Sequence, residues 1–432
     1  MSEGEPRETA IAPDAVDEGL RPGIGFTGSA FLAFNGAVGA GIFALPGTLE
    51  TQFGAFSPWL FPLFGLLVLA LVLPIARLAS HFPHSGGPVV YTAAFGPLAS
   101  FQIGWVYYMA RVTALAANAN VFATYAAGLW TPLGGAAGRA AVILALVGLL
   151  TFVNLVGVRR AIRALDAVTV LKALPVLGFA IAALVMFGDR IPAPGPLPAL
   201  GGVEAAALLV LYAFVGFENS LIPAGETRNA RRTIPRALIA TVIGTAILYF
   251  LVQLAFVAAA PERVESMPLL GLGEAVAGPV GALVLSLAAL FSIAGNATSS
   301  MTSTPRVTYA LARDGLLPGW FGRVSERWAT PVNSILFMAA LGAALALTGS
   351  FVWLAVVSTL ARLVVYSGCL AALPGEERRS GGRAALSAAA AVPGLLVCLW
   401  AASQSSWESW RTLLVLLAAG LLLYAVARRR SR

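Results

Sequence analysis

Two short clusters carry most of the chemistry this sequence offers. The first is Asn35-Gly36-Ala37-Val38-Gly39-Ala40-Gly41, followed by Pro46, and the second is Gly216-Phe217-Glu218, followed by Pro223 and Gly225. Both sit in the middle of apolar runs. Glycine weakens a helix by about 1 kcal/mol relative to alanine, so each run is expected to unwind at its cluster. A half-helix N-terminus carries partial positive charge and free N–H donors, which hold a carboxylate. Unwound carbonyls and half-helix C-termini hold a cation such as an ammonium group. An amino-acid zwitterion presents both groups on one carbon, so a pair of broken helices suits it without a dedicated charged side chain.

Charged residues inside apolar runs form the second set. Lys172 is the only lysine and lies in DAVTVLKALPVLGF. A charge at the centre of a membrane span costs at least about 2.5–3.5 kcal/mol, which marks it as functional by default. Buried lysines can lose their proton near neutral pH. The bland alternative is snorkelling, because Lys172 lies only about two turns into its run. Glu218 is read as an internal brace for the unwound segment in preference to a proton carrier. Arg111 and Arg362 are expected to pair with carboxylates or carbonyls. Asn118 and Asn120 need hydrogen-bond partners, and one of them is expected to face a pocket. His81 and His84 are read as solvated loop residues, and the glycosylation pattern Asn296-Ala-Thr298 as chance.

The elements that position these residues follow from composition. The 432-residue chain is 58% hydrophobic and 11% charged, against about 25% charged for a soluble domain, and its mean hydropathy is +0.83. Apolar runs of roughly bilayer length fall at 26–50, 58–80, 99–129, 140–158, 165–187, 203–225, 235–260, 278–304, 331–349, 351–373, 384–402 and 411–427. With both ends in the cytoplasm, the outside segments hold only Arg139, Arg190, Arg263 and Arg411. Three basic residues lie within spans, and the remaining 21 of 28 lie inside, as the positive-inside rule requires. The expectation is an all-α integral membrane protein of twelve transmembrane helices. The net charge of +8 belongs to this topology, and no nucleic acid is expected. The acidic N-terminus has no apolar stretch of signal-peptide type and reads as a short disordered tail. Cys369 and Cys398 form neither a disulfide framework nor a metal set.

Breaks in spans 1 and 6 fall at the same place in two five-helix halves, the best sequence pointer to a transporter's binding site. GAVGAG (36–41) has the spacing G-x-x-G-x-G and no strand before it, so it is no dinucleotide loop, and no P-loop is present. A membrane enzyme would need a catalytic cluster or metal ligands, which the sequence lacks.

Four stretches resemble the amino acid–polyamine–organocation superfamily of permeases: VGAGIFALPG (38–47), FPHSGGPVVYTAAFG (82–96), FVGFE with AGETRNARRTIPRAL (214–238), and TPRVTYALARDGLLP (304–318). The loop R-N-A-R-R departs from the family's usual N-P. The resemblance implies the leucine-transporter-type 5+5 inverted repeat: spans 1–5 (26–187) and 6–10 (203–373), plus two C-terminal helices (384–427), between a cytoplasmic tail (1–25) and a cytoplasmic C-terminus (428–432). It implies that Gly39, Ala40 and Gly41, with Ile42 beside them, offer N–H groups to a substrate carboxylate. Carbonyls near Val38 and around Phe214, Val215 and Gly216 would hold its ammonium. A span-6 aromatic, Tyr212, Phe214 or Phe217, would gate the pocket. In some members a span-5 lysine replaces a sodium ion between spans 1 and 8, and Lys172 matches it. Thr298, Ser299 and Ser300 are the contrary signal, as hydroxyls able to ligate sodium.

The function expected is secondary active transport of amino acids across the cytoplasmic membrane by alternating access. It is expected to be sodium-independent, with Lys172 and Glu218 as candidate proton-coupling groups, and to need no cofactor. Partners are an amino acid, membrane lipids and protons. A polyamine or organic amine transporter and a non-transporting sensor are the alternatives. The small number of mid-span charges argues against a strongly charged cargo.

Overall fold

The computed structural model describes residues 23–82, 86–156, 159–195, 198–261, 267–328 and 330–430, with the side chains of 159–172, Leu200, Ala205 and Arg430 outside that description. Glycines and prolines cut the first apolar run in two. Helix α1 (Phe26–Ala37) stops at Val38, and α2 (Gly41–Phe53) starts three residues on. Each half is about 18–20 Å long at 1.5 Å per residue, too short for a bilayer core of roughly 30 Å. A 3₁₀ turn leads into α3 (Leu60–Ala79), then the short α4 (Pro88–Tyr91), α5 (Pro97–Leu129), α6 (Ala136–Val156) and α7 (Arg159–Met186). The sixth run is cut as well. Helix α8 (Leu200–Phe214) gives way to 3₁₀ turns at Phe217–Ser220 and Ala224–Glu226. Next come α9 (Ala230–Ala259), α10 (Pro268–Ser303, kinked at Ala277–Gly278), α11 (Pro305–Arg313), α12 (Val332–Thr348), α13 (Phe351–Arg379), α14 (Ala384–Ser403) and α15 (Trp407–Arg430).

Among the described residues, seven helical stretches are long and apolar enough to cross a membrane. Three shorter apolar helices, Ala173–Met186, Ala206–Ser220 and Val332–Thr348, lie in the fifth, sixth and ninth apolar runs. Helix α5 is buried on all sides and packs along α13, α10 and α12, as a helix without one polar face must. The outward faces of α6, α14 and α15 carry exposed Leu149, Phe152, Leu399, Trp407 and Leu422. Exposed apolar side chains on helices long enough to cross a bilayer fit lipid and not water.

Side chains from α5 and α9 reach the backbone at and just beyond the first break, where an apolar interior offers polar groups no water. Tyr249 Oη donates to the Ala37 carbonyl (3.1 Å), Tyr125 Oη to Phe43 (2.8 Å), and Gln253 Nε2 to Pro46 (3.0 Å) and Ser57 Oγ (3.0 Å). The segment leading into α1 is stitched to the loop beyond the second break. Ile24 forms an isolated parallel bridge with Thr227, with Ile24 N–H to Glu226 O (3.0 Å) and Arg228 N–H to Ile24 O (2.8 Å). His81 is not merely solvated. Its Nε2 lies 3.0 Å from Glu377 Oε1, which also accepts from Arg77 Nε at 2.5 Å, so the ends of α3 and α13 are tied together. His84 lies outside the described residues.

Candidate functional site

The two broken runs cross at a pair of glycines. Gly216 adopts φ +112°, ψ −11°, a left-handed conformation that glycine tolerates and other residues rarely adopt. A Cβ built on Gly36 would collide with the Gly216 carbonyl and the Asn219 amide, and one built on Gly216 would collide with the Gly36 carbonyl. Backbone therefore touches backbone where the last turn of α1 meets the left-handed turn of the second break.

Above this crossing a narrow cavity is lined by backbone of Gly39, Ala40 and Gly41 and by Asn118, Tyr212, Asn296, Ser300, Arg111 and Arg362. Two asparagines organise its wall. Asn118 Oδ1 accepts the Ala40 N–H (3.0 Å), and Asn118 Nδ2 donates to Asn296 Oδ1 (2.9 Å). Asn296 Nδ2 in turn donates to the carbonyls of Asn35 (2.7 Å) and Gly36 (2.9 Å). These amides connect the end of α1, the break and the start of α2 to α5 and α10. The N–H groups of Gly41 and Ile42 precede the first internal hydrogen bond of α2, from Phe43 N–H to the Ala40 carbonyl (3.1 Å), so this rim is rich in donors. Replacing Asn296 with leucine strands two carbonyls and one Asn118 donor. The expected loss is about 1–3 kcal/mol per buried unmet group, read as a lower unfolding midpoint of detergent-purified protein. An unchanged midpoint would show the amide to be replaceable.

Below the cavity lies a charged network. Glu218 is fully buried. Its Oε1 accepts from Arg362 Nε (2.8 Å), and its Oε2 accepts from Tyr366 Oη (2.9 Å) and the Gly216 N–H (2.8 Å). Arg362 also donates to Ser358 Oγ and to the Ala110 carbonyl (3.2 Å). The carboxylate thus joins the left-handed turn of the second break to α13. Arg111, on α5, donates to Asn219 Oδ1, Ser303 Oγ (3.0 Å) and Thr304 Oγ1 (3.2 Å).

The site residues named from sequence are divided among several places. Gly39, Ala40, Gly41, Tyr212, Val215 and Ser300 line the cavity. Phe214 and Phe217 line, with Val215, a separate apolar space against Tyr366. Phe214 packs on Phe61 and Tyr249, and Phe217 stacks on Tyr366 at 5.3 Å. Tyr212 meets Phe351 edge-on at 5.8 Å. Val38 and Ile42 are buried in the core, and Gly216 is at the crossing. Ser299 is half-buried on α10. Lys172 lies within α7, but its side chain is outside the described residues. Asn120 donates to the Ala346 carbonyl (3.0 Å), away from the cavity. Asn296 was missed because its sequon context drew the reading to chance. Its signal was an amide in the middle of an apolar run, which must find partners.

The amino acid permease family matches residues 24–373. The chain belongs to that family. The permease is 27% identical over 450 residues to the branched-chain amino acid permease of Bacillus subtilis (strain 168), covering 97% of this chain and 96% of that one. It is 26% identical over 424 residues to the methylthioribose transporter of the same organism, covering 91% and 90%. Among solved structures it resembles the manganese transporter of Eremococcus coleocola, with TM-score 0.56 and 15% identity, covering 96% and 98% of the two chains. That likeness shows the fold. The permease is accordingly a multi-pass membrane protein of amino acid transport and not an enzyme.

Proposed function

We propose that this permease is a secondary active transporter of amino acids, opening its central cavity alternately to the two faces of the cytoplasmic membrane. In this reading it has twelve spans with both termini cytoplasmic. Residues 26–187 and 203–373 form inverted repeats, and 384–427 two added helices. The observation that carries the proposal is the crossing of two broken runs at Gly36 and Gly216 beside a cavity lined by Gly39–Gly41 backbone. Asn118 Oδ1 occupies the Ala40 N–H as a carboxylate oxygen would. The substrate carboxylate takes over this donor and those of Gly41 and Ile42. Carbonyls around Val38, Phe214 and Val215 take the ammonium, and Tyr212 shields the cavity.

The coupling proposed is independent of sodium. The Asn35 and Gly36 carbonyls already face an amide N–H of Asn296, which leaves a cation little to gain there, and Lys172 supplies positive charge on α7. Glu218 already meets three donors, which favours a brace over a proton carrier and leaves Lys172 as the coupling group. Two arginines line the cavity and one carboxylate answers them, which disfavours a polyamine.

The test is uptake of a labelled amino-acid panel, leucine included, into proteoliposomes with an inward proton gradient and no sodium. Accumulation above equilibrium is expected, with loss of proton-driven accumulation in Lys172→Ala. Accumulation only with sodium would reject the coupling and turn attention to Thr298, Ser299 and Ser300. No accumulation under either gradient would reject secondary transport of amino acids in favour of a polyamine transporter or a sensor.

A further inference from the structure

Among the described residues, the charges lining and supporting the cavity do not balance. Arg362 is neutralised by Glu218, whose two oxygens are already taken by Arg362, Tyr366 and Gly216. Arg111 is 4% exposed, and every hydrogen-bond partner it has among the described residues is neutral: Asn219, Ser303 and Thr304. Tyr107 adds a ring face 6.0 Å from its guanidinium carbon, another neutral neighbour. No aspartate or glutamate lines the cavity among the described residues. A guanidinium does not give up its proton in a protein. Among the described residues the single carboxylate of Glu218 therefore stands against two guanidiniums, and one positive charge is left over in a region of low dielectric, where an uncompensated charge is costly. The cavity wall also carries the buried Ser300 Oγ, which has no hydrogen-bond partner among the described residues.

We infer that the solute itself supplies the missing anion, making this permease selective for an amino acid with a carboxylate in its side chain. The inference rests on the amino-acid reading above and names its substrate class. A leucine-like zwitterion brings no net charge and leaves Arg111 uncompensated, whereas an acidic amino acid brings −1 and cancels it. The placement fits. Arg111 and Asn118 are seven residues apart on α5, hence on one face and about 10 Å apart along the axis. Both line the same cavity. The α-carboxylate belongs at the Asn118–Ala40 level, and the side-chain carboxylate points down the helix to Arg111, whose planar fork suits a carboxylate. The mid-span residues Arg111, Glu218 and Arg362 thus converge on one place, and in this reading the expectation of a cargo without a strongly charged side chain gives way.

The test is competition for binding to the detergent-purified full-length protein. Labelled glutamate and labelled leucine are each displaced by glutamate, aspartate, glutamine, asparagine and leucine, in chloride and in chloride-free gluconate buffer. Glutamate and aspartate are expected to compete at least about tenfold better than their neutral isosteres, as a buried charge-assisted contact requires. Arg111→Gln is expected to bring that ratio close to one, and Arg111→Lys to keep part of it. Should Arg111→Gln not purify as a folded protein, the wild-type glutamate-to-glutamine ratio and Arg111→Lys decide. Leucine and glutamine binding with glutamate excluded would overturn this inference and leave the amino-acid reading standing. Leucine binding that collapses without chloride would overturn it by showing that an inorganic ion neutralises Arg111. Failure of every amino acid to bind would remove both readings.

Discussion

Gly216→Ala is expected to yield a protein that neither transports nor survives purification as a single species. Two penalties combine at this position. A side chain at φ +112° is strained by about 1–3 kcal/mol. The new methyl also runs into the Gly36 carbonyl and the Ala37 amide nitrogen, which are backbone atoms that cannot rotate aside, and overpacking of this kind costs about 1–3 kcal/mol more. Gly36→Ala meets the same wall from the other side, without the dihedral strain, and should be the milder of the two. Gly244→Ala is the control, because its Cβ meets nothing within 4 Å and alanine favours a helix. Size-exclusion profile, thermal midpoint in detergent and uptake are the readouts. Wild-type behaviour of Gly216→Ala would mean that the end of α1 and the second break do not need to touch.

Glu218→Gln is the second large effect. It keeps the shape and removes the charge, so Arg362 is left buried with only neutral partners, and Tyr366 and the Gly216 N–H lose a carboxylate acceptor. Breaking a buried pair from one side costs about 3–5 kcal/mol. The signature of the pair is that removing both partners costs less than removing one. A double variant, Glu218→Gln with Arg362→Met, is expected to recover part of the midpoint lost by either single change. Groups in one network couple by about 0.5–3 kcal/mol. Strict additivity would show that the two side chains are not energetically a pair. Arg362→Lys is expected to fail as a conservative change, because a lysine cannot serve Glu218, Ser358 and the Ala110 carbonyl together.

The breaks were legible in the sequence because they are local. Gly39, Gly41 and Pro46 in one run, and Gly216 and Pro223 in another, disfavour helix whatever surrounds them. That Gly36 and Gly216 touch was not legible, since the contact joins residues 180 positions apart through a crossing of two segments. The same holds for charge. Arg111, Glu218 and Arg362 each stand out in an apolar run, but which arginine takes the carboxylate depends on how α13 packs against α5. The assignments around Phe214 and Phe217 fared differently because period and composition mark an aromatic as buried without saying which cavity it walls. Membrane character was written in composition. The individual crossings were less plain, because several runs are realised as half-helices or as helices of 15–17 residues, such as α8 and α12, whose length alone does not announce a full span.

The small bridge at Ile24 and Thr227 has a mechanical consequence. The broken runs already touch at mid-depth through Gly36 and Gly216, and the bridge fastens them a second time near their ends. Two separated contacts oppose relative sliding and leave rotation only about the line that joins them. Under the alternating-access proposal the two broken runs would then move as a single lever, and a solute seated against both would be carried by one part of the molecule and not passed between two.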